Sequence, residues 1–426
     1  MALPDVSITV QSGALGQVPP STAGAQFKTG VCSAGVVGTM YTLSSIAAAR
    51  AALGQGPLVE AVCQVLAVGG GPVYAMPINP SSAGSAGSVT HTGPGAGTVS
   101  VAFAPAQSIA IKIVLGGVLA TATYQISLGG GAYGPVITTA VGAQAVAGTL
   151  TNITLAAGTY VANDVYTIST LGVVTLVGSG PAASNVTFTS SPLDLYDVLT
   201  TIVAGGALGT ATFTLSVDGG NNTGGQIATP GGGKYAIPNT GIVLTFASTF
   251  TAGDTYEFVT VKAGYSGSDV TSAFTTALGL AFRWGFAHLV GRPTTSSAAA
   301  TIAATVDGLM TTAKTAYRFV WTITECPVTE TDSTITTAFA SFLSDRVAVA
   351  ACDVGLISAI DARIERRSMA WVLAAHCSVI SAAEDPGFVG TTSPVKNVVS
   401  IYPNGGSTVW DPTTLDANRF NTMRTF

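Results

Sequence analysis

Between about residues 88 and 262 the chain runs as short apolar stretches broken by glycine clusters. Thr123, Tyr124, Ile126 and Leu128 form one such run, and Thr212, Phe213, Leu215 and Val217 another. Both are rich in β-branched and aromatic residues, as strands are, and each leads into a dipeptide suited to a hairpin turn, Gly129-Gly130 or Asp218-Gly219. The two runs belong to a repeat. Gly116 to Gly130 reads GGVLATATYQISLGG, and Gly205 to Gly219 reads GGALGTATFTLSVDG. Tyr160 to Ile168 (YVANDVYTI) likewise matches Phe250 to Phe258 (FTAGDTYEF), at nearly the same offset. This self-similarity predicts two tandem copies of one module, 88–175 and 176–262. Several strands with turn signals in so short a span predict a small, immunoglobulin-like β-sandwich for each copy. Asp164 and Asp254 share one repeat position, just before a strand. A calcium ion needs six or more oxygen ligands, so a turn role is the commoner reading of such an aspartate.

The flanks have a different period. Ser44 to Leu53 predicts an Ala-rich helix with a Ser cap and Gly54 past its end, and Pro57 to Ala67 a second helix opened by proline. Pro72 to Met76 predicts a short buried strand. After the repeats, Ser268 is expected to cap a helix running to about Leu280. There follow strand Trp284 to Val290, helix Ser296 to Ala316, strand Tyr317 to Ile323, helix Asp332 to Leu343, strand Val347 to Ala351, helix Arg367 to Ile380, strand Val398 to Tyr402 and a helix from Thr414. Alternating strands and helices predict a layered α/β domain with a largely parallel sheet. The fold class is therefore α+β multidomain: a discontinuous α/β core, 26–87 with 263–426, into which the two β modules are inserted. Residues 1–25 stand apart as an arm. Asp5 to Val10 alternates polar and apolar, ahead of a Gly/Pro/Ser-rich stretch, so Val6, Ile8 and Val10 are candidate interface residues. Such a strand can pair at home or add to a neighbour's sheet edge, and both readings stay open.

Composition narrows the function. Only 9% of residues are charged, against roughly 25% in average soluble domains, and the net charge is −5. There is no basic stripe for nucleic acid. The charge-free run from Ile113 to Asn163 is broken by Gly116, Gly117, Gly129 to Gly131 and Pro135, so no membrane span is expected. The first residues lack the basic and apolar regions of a secretory signal. Five widely spaced cysteines fit reduced, buried thiols in a protein made in the cytoplasm. His376 adjoins Cys377, but a zinc site wants four ligands, and two neighbours on a buried helix is the simpler reading. Between residues 61 and 163 only Lys112 is charged. So neutral a surface is best tolerated where other copies of the chain cover it.

Motifs for chemistry are missing. There is no phosphate loop, His-Glu-x-x-His or EF-hand pattern, and Gly264-Tyr-Ser-Gly does not complete a nucleophile elbow. His91, His288 and His376 are far apart, with His288 in a predicted buried strand. No catalytic, cofactor or metal site is expected, and the chain does not read as an enzyme. The densest charge cluster is Asp361, Arg363, Glu365, Arg366 and Arg367. It fits either a solvated turn and helix start or a salt-bridge contact with an adjacent copy.

Longer stretches carry a family likeness. VTLVGSGPAASNVTFTSSPLDLYDV, GTATFTLSVDGGNN and KYAIPNTGIVLTFASTFTAGDTYEF, in that order between Val174 and Phe258, resemble the β module of phage tail sheath-like proteins. SSIAAARAALGQGPLVEAVCQVLAVGGGPVYAM near the start, and IDARIERRSMAWVLAA with LDANRFNTMRT near the end, are similar to the contractile tail sheath proteins of myovirus-type phages. The resemblance implies a sheath-like core. It implies subunits in hexameric rings, stacked helically around a tail tube between baseplate and terminator proteins, that contract to drive the tube through the host envelope. Val6, Ile8 and Val10 match the position of the family's N-terminal arm, which adds a strand to a neighbour. Family members continue past the terminal helix into a C-terminal arm, whereas this sequence stops at Phe426, so a lost C-terminal part or a fragment is expected. The implied location is the virion tail. Other expectations in the same frame are a baseplate or other tail component, or a capsid decoration or adhesin protein binding a surface through its β modules.

Overall fold

The computed structural model describes residues 24–147, 149–327, 329–380, 397–402 and 413–420. The proposed arm strand, with Val6, Ile8 and Val10, lies outside them.

At the centre is a six-stranded sheet in the order Tyr41–Leu43, Val73–Pro77, Gln26–Gly30, Phe286–Leu289, Trp321–Glu325, Val347–Ala350. Every neighbouring pair is parallel except the edge strand Tyr41–Leu43. A parallel sheet needs both faces covered, because its crossovers lay helices on them. One face packs on helices Ile46–Leu53, Pro57–Ala67 and Met369–Cys377, through Leu53, Leu58, Val62, Phe286, Ile323 and Trp371. The other packs on Gly267–Gly279 and Ser296–Thr315, through Phe27, Phe274, Val306 and Met310. A small antiparallel sheet, Asp353–Ile357 between Ile364–Ser368 and Val398–Tyr402, extends the core.

Local chemistry explains most boundaries. Ser45 accepts from the Ala48 amide, and Gly54 closes the same helix at φ 72. Ser266, not Ser268, starts the helix after the repeats, in a capping box with Asp269. Several expected elements are shorter. The strand expected from Tyr317 begins at Trp321, because Tyr317 takes a positive φ in the turn after the long helix. The helix expected from Arg367 begins at Met369, because Arg367 ends a strand and Ser368 caps the helix. The helix from Asp332 stops at Ala338. The strand Gln26–Gly30, which holds the sheet's centre, was not expected at all.

Each β module is a pair of facing sheets around one apolar cluster. In the first, Ile109, Ile111, Tyr124 and Tyr166 from one sheet meet Ile153, Leu155 and Val186 from the other. In the second, Val198, Phe213, Tyr256 and Phe258 meet Leu244, Phe246 and Val99. The sheets do not close at the repeat boundaries 88–175 and 176–262. Val186–Thr189 pairs with Asn152–Leu155 and completes the first module. Its counterpart in the second module is Thr98–Phe103, which precedes the first module and pairs with Ile242–Ala247. Thr90–Thr92 likewise joins the second module, against Thr255–Val261. The modules are thus nested: the first is inserted into the second, and the second into the core.

Candidate functional site

A buried polar chain crosses the central sheet. Lys28 and His288 sit opposite each other on adjacent strands, and Glu325 lies on the next. Lys28 Nζ is 2.9 Å from His288 Nδ1, and His288 Nε2 is 3.0 Å from Glu325 Oε1. The same carboxylate oxygen accepts from Trp371 Nε1 and from the Gly291 amide, each at 3.1 Å. All bonds are satisfied when Lys28 donates to Nδ1 and Nε2–H donates to Glu325. Burial pushes the Lys28 ammonium down to about 7, against the pull of Glu325. Burial, then Lys28, pushes His288 down to about 4. Burial alone would raise Glu325, but the His288 hydrogen bond and the charges of His288, Arg292 and Lys262 outweigh it and hold the carboxyl at about 2. Amine, imidazole and carboxylate in a row can pass a proton, yet all three side chains are sealed from solvent. In this setting the chain acts as polar cross-bracing of three strands.

A second cluster sits where the core meets the second module, and it revises the expected charge cluster. Asp361 and Arg363 pair with each other on an exposed hairpin turn, at 2.6 Å. Arg366 binds Asp353 at 2.7 Å and lies over the Tyr402 ring. Arg292 reaches the same Asp353 oxygen, at 3.0 Å. Arg367 is neither solvated nor free for a neighbour. It is buried between Glu60 of the second helix, Glu365 beside it, and Asp194 at 2.8 Å on the segment leading into the second module. Burial alone would lower its pKa, but Glu365, Glu60 and Asp194 outweigh that and hold it well above the ordinary value. Burial raises Glu60 above the carboxylate range despite Arg367, with Glu365 and Asp194 pushing the same way. Three carboxyls around one guanidinium cannot all ionise cheaply. Beside this cluster a cleft of about 470 Å³ separates the core from the second module, lined by Leu195, Tyr196, Val259, Arg292, Arg366 and Arg367 among others.

Sequence reasoning passed over Lys28, Glu325, Glu60, Asp194 and Asp353. Glu60 had a signal: one acid in the apolar helix PLVEAVCQVLA requires a buried cation.

The repeat aspartates hold loops. Asp164 accepts from the amides of Ser179 and Gly180, at 3.1 and 2.7 Å. Asp254 accepts from Gly95 at 3.1 Å and Thr251 at 3.3 Å. Any Cβ on Gly180 or Gly95 would lie within 2.2 or 1.8 Å of the corresponding carboxylate oxygen, so both positions require glycine. Among the described residues, no group of three or more His, Cys, Asp or Glu side chains is placed to hold a metal. All five cysteines are buried and none is in a disulfide, and burial pushes the Cys32, Cys63 and Cys377 thiols up to about 12. No described helix is long and apolar enough to cross a membrane.

A family model described as DUF2586, N-terminal domain, matches residues 3–426. The chain belongs to the DUF2586 family. No curated protein matches this DUF2586 sequence. Among solved structures, a sheath tail protein from Desulfitobacterium hafniense is 12% identical with a TM-score of 0.36, over 97% of this chain and 69% of that one. A sheath tail protein from Listeria innocua is 9% identical with a TM-score of 0.37, over 94% of this chain and 65% of that one. The DUF2586 chain thus spans about two thirds of the length of either.

Proposed function

We propose that this chain is a structural subunit of a phage tail, a sheath-type protein that works by self-assembly and not by catalysis. One observation carries the reading. The two stretches that resemble sheath proteins, near the start and near the end of the sequence, fold into one unit. Helix Pro57–Ala67 packs on helix Met369–Cys377, and Glu60 pairs with Arg367 across about 300 residues of intervening chain. The β modules, with the immunoglobulin-like character proposed for them, ride on that unit as insertions.

In this reading the subunits form hexameric rings, stacked helically around a tail tube between baseplate and terminator proteins. Shortening of the array drives the tube through the host envelope. Storing energy in such a lattice needs only two packings per subunit that differ by a few kcal/mol. The buried bracing of the core suits a part that moves as a rigid body while its contacts change.

Electron microscopy of the purified full chain tests the reading. Hollow cylinders or stacked rings are expected as concentration rises. A chain that stays a monodisperse monomer at high concentration overturns it.

A further inference from the structure

The β modules meet the core along a seam. Two stretches of chain cross between them, and they cross together. The Ser81 and Ser82 amides donate to the Gly264 carbonyl at 2.9 and 3.1 Å, and Ser85–Ala86 pairs with the end of strand Thr255–Val261. Gly84 is required in this ribbon, because a Cβ there would lie 2.6 Å from the Val261 carbonyl oxygen. The seam continues through Asp194. Its carbonyl accepts from the Thr260 hydroxyl at 2.9 Å, and its carboxylate holds Arg367 of the core at 2.8 Å. Elsewhere along it, Gln107 donates to the Ser33 carbonyl at 3.0 Å, and Leu150 of the first module packs against the core cluster that contains Val31. Among the described residues no sheet runs from core to module. A two-stranded ribbon with a few loop contacts has the form of a hinge.

Beside the seam, the cleft of about 470 Å³ has unlike walls. Leu195, Asp197, Val217 and Val259 stand on the module side, and Arg292, Thr329, Glu365 and Arg366 on the core side. Val259 points outward between the buried Phe258 and Thr260 and is 45% exposed, and Leu195 is 39% exposed. The module wall is also acidic. Asp218 spends both carboxylate oxygens on its own turn, on Ser216 and Asn222. Asp197 does not, and its buried Oδ1 has no hydrogen-bond partner. Such an orphaned acceptor costs free energy that a donor would recover. Burial first, then Glu257, raises the Asp197 pKa, against the pull of Arg366. On the core wall Glu365 is taken up by Arg367, while Arg292 and Arg366 share the single Asp353 carboxylate, which leaves one positive charge in excess. The two walls are complementary, yet they stand apart.

We propose that the second module closes on the core about this seam, bringing Asp197 onto Arg366 and Leu195 and Val259 against the core wall, so that the chain has an open and a closed form. Closure joins opposite charges, gives the orphaned oxygen a donor and takes apolar surface out of water. The first module is held to the second at Ala104 and Leu193 and moves with it. The change is internal to one chain, so it goes beyond the self-assembly reading and does not depend on it. In an array it lets the modules shift while the core stays in place.

The test is a distance measured across the mouth of the cleft, where the exposed Asn221 and Thr329 stand on opposite walls. Spin labels are placed at Asn221→Cys and Thr329→Cys on the full chain, kept monomeric by dilution, and read by pulsed electron paramagnetic resonance. Two distances are expected at low salt. The shorter is expected to fall at least threefold in population at 1 M salt, where the screening length shrinks to about 3 Å. Adding Asp197→Asn is expected to remove the shorter distance with an unchanged circular dichroism spectrum, whereas Asp197→Glu keeps it. A single distance at every salt concentration overturns the proposal, and so does a shorter population that Asp197→Asn leaves intact. The salt series leaves both walls unaltered, so it decides the matter even if Asp197→Asn folds poorly. Either failure leaves the self-assembly reading standing, since that reading is judged by the cylinders alone.

Discussion

The two β modules come from one repeated sequence, yet they close differently. The first is finished by its own downstream strand, Val186–Thr189. The second is finished by Thr98–Phe103, from upstream of the first module. The closing segments are themselves copies: Gly93, Gly95, Val101 and Phe103 fall where Gly178, Gly180, Val186 and Phe188 fall in the first. A sheet accepts a strand from anywhere in the chain that offers the right register and the right inward residues. Repetition therefore let the second module borrow a strand, and borrowing made the pair hierarchical. The first module depends on its own segment alone, whereas the second depends on the chain before and after its partner.

Excision breaks this comparison most directly. The first module leaves the second at Ala104, whose amide donates to Gly241, and the chain returns at Leu193, whose amide donates to Thr240. Its two ends are thus held side by side. Replacing residues 107–190 with a short linker is expected to remove one calorimetric unfolding transition and leave the others within a few degrees. Removing residues 195–261 is expected to do far more, because Thr90–Thr92 and Thr98–Phe103 lose every strand they pair with. Soluble, cooperatively folded protein from the second deletion and aggregated protein from the first would reverse the hierarchy.

The same hierarchy marks what could be read in the sequence. The glycine-bounded strands and the repeat were legible because their signals are local, and so were the helices of the core. Closure was not, since nothing near Thr98–Phe103 says that its partner lies beyond residue 240. The burial of Arg367, one member of the candidate interface cluster, was illegible for a similar reason. Arg367 looked like surface charge because its neighbours in sequence are charged, but the carboxyls that bury it include Glu60 and Asp194, both far away. The strand Gln26–Gly30 was overlooked because it carries Gln26 and Lys28, and only its distant partners make a buried lysine tolerable.

The core supplies a second test, because neither module's closure should influence it. Lys28 has a folded pKa near 7 against an ordinary 10.5, so between these values the unfolded chain holds a proton that the folded chain has shed. Burying the charged ammonium therefore destabilises the fold at low pH, and that cost falls as pH rises above 7. Between pH 7 and 9 the gain from this group is about 2 kcal/mol. Lys28→Met is expected to lack that share of the slope in urea unfolding of the core transition, while the module transitions keep the wild-type profile. Parallel core profiles for wild type and variant across this window would refute the placement of the charge. A matching slope in the module transitions would show that core and modules do not unfold separately.

The smallest effect gives the sharpest comparison. Asp164 and Asp254 occupy one repeat position, and each uses both carboxylate oxygens on backbone amides. An asparagine in either place presents an NH₂ group to one of those N–H donors and leaves it unsatisfied, at a cost of about 1–2 kcal/mol. The cost should fall on different stretches of chain. Asp164→Asn is expected to speed amide hydrogen exchange over residues 174–189, just downstream of the substitution. Asp254→Asn is expected to speed exchange over 90–103, some 150 residues upstream, and to leave the intervening first module protected. If Asp254→Asn instead loosens the first module as well, the nested modules form one cooperative unit, and the borrowed strand couples them instead of merely completing one of them.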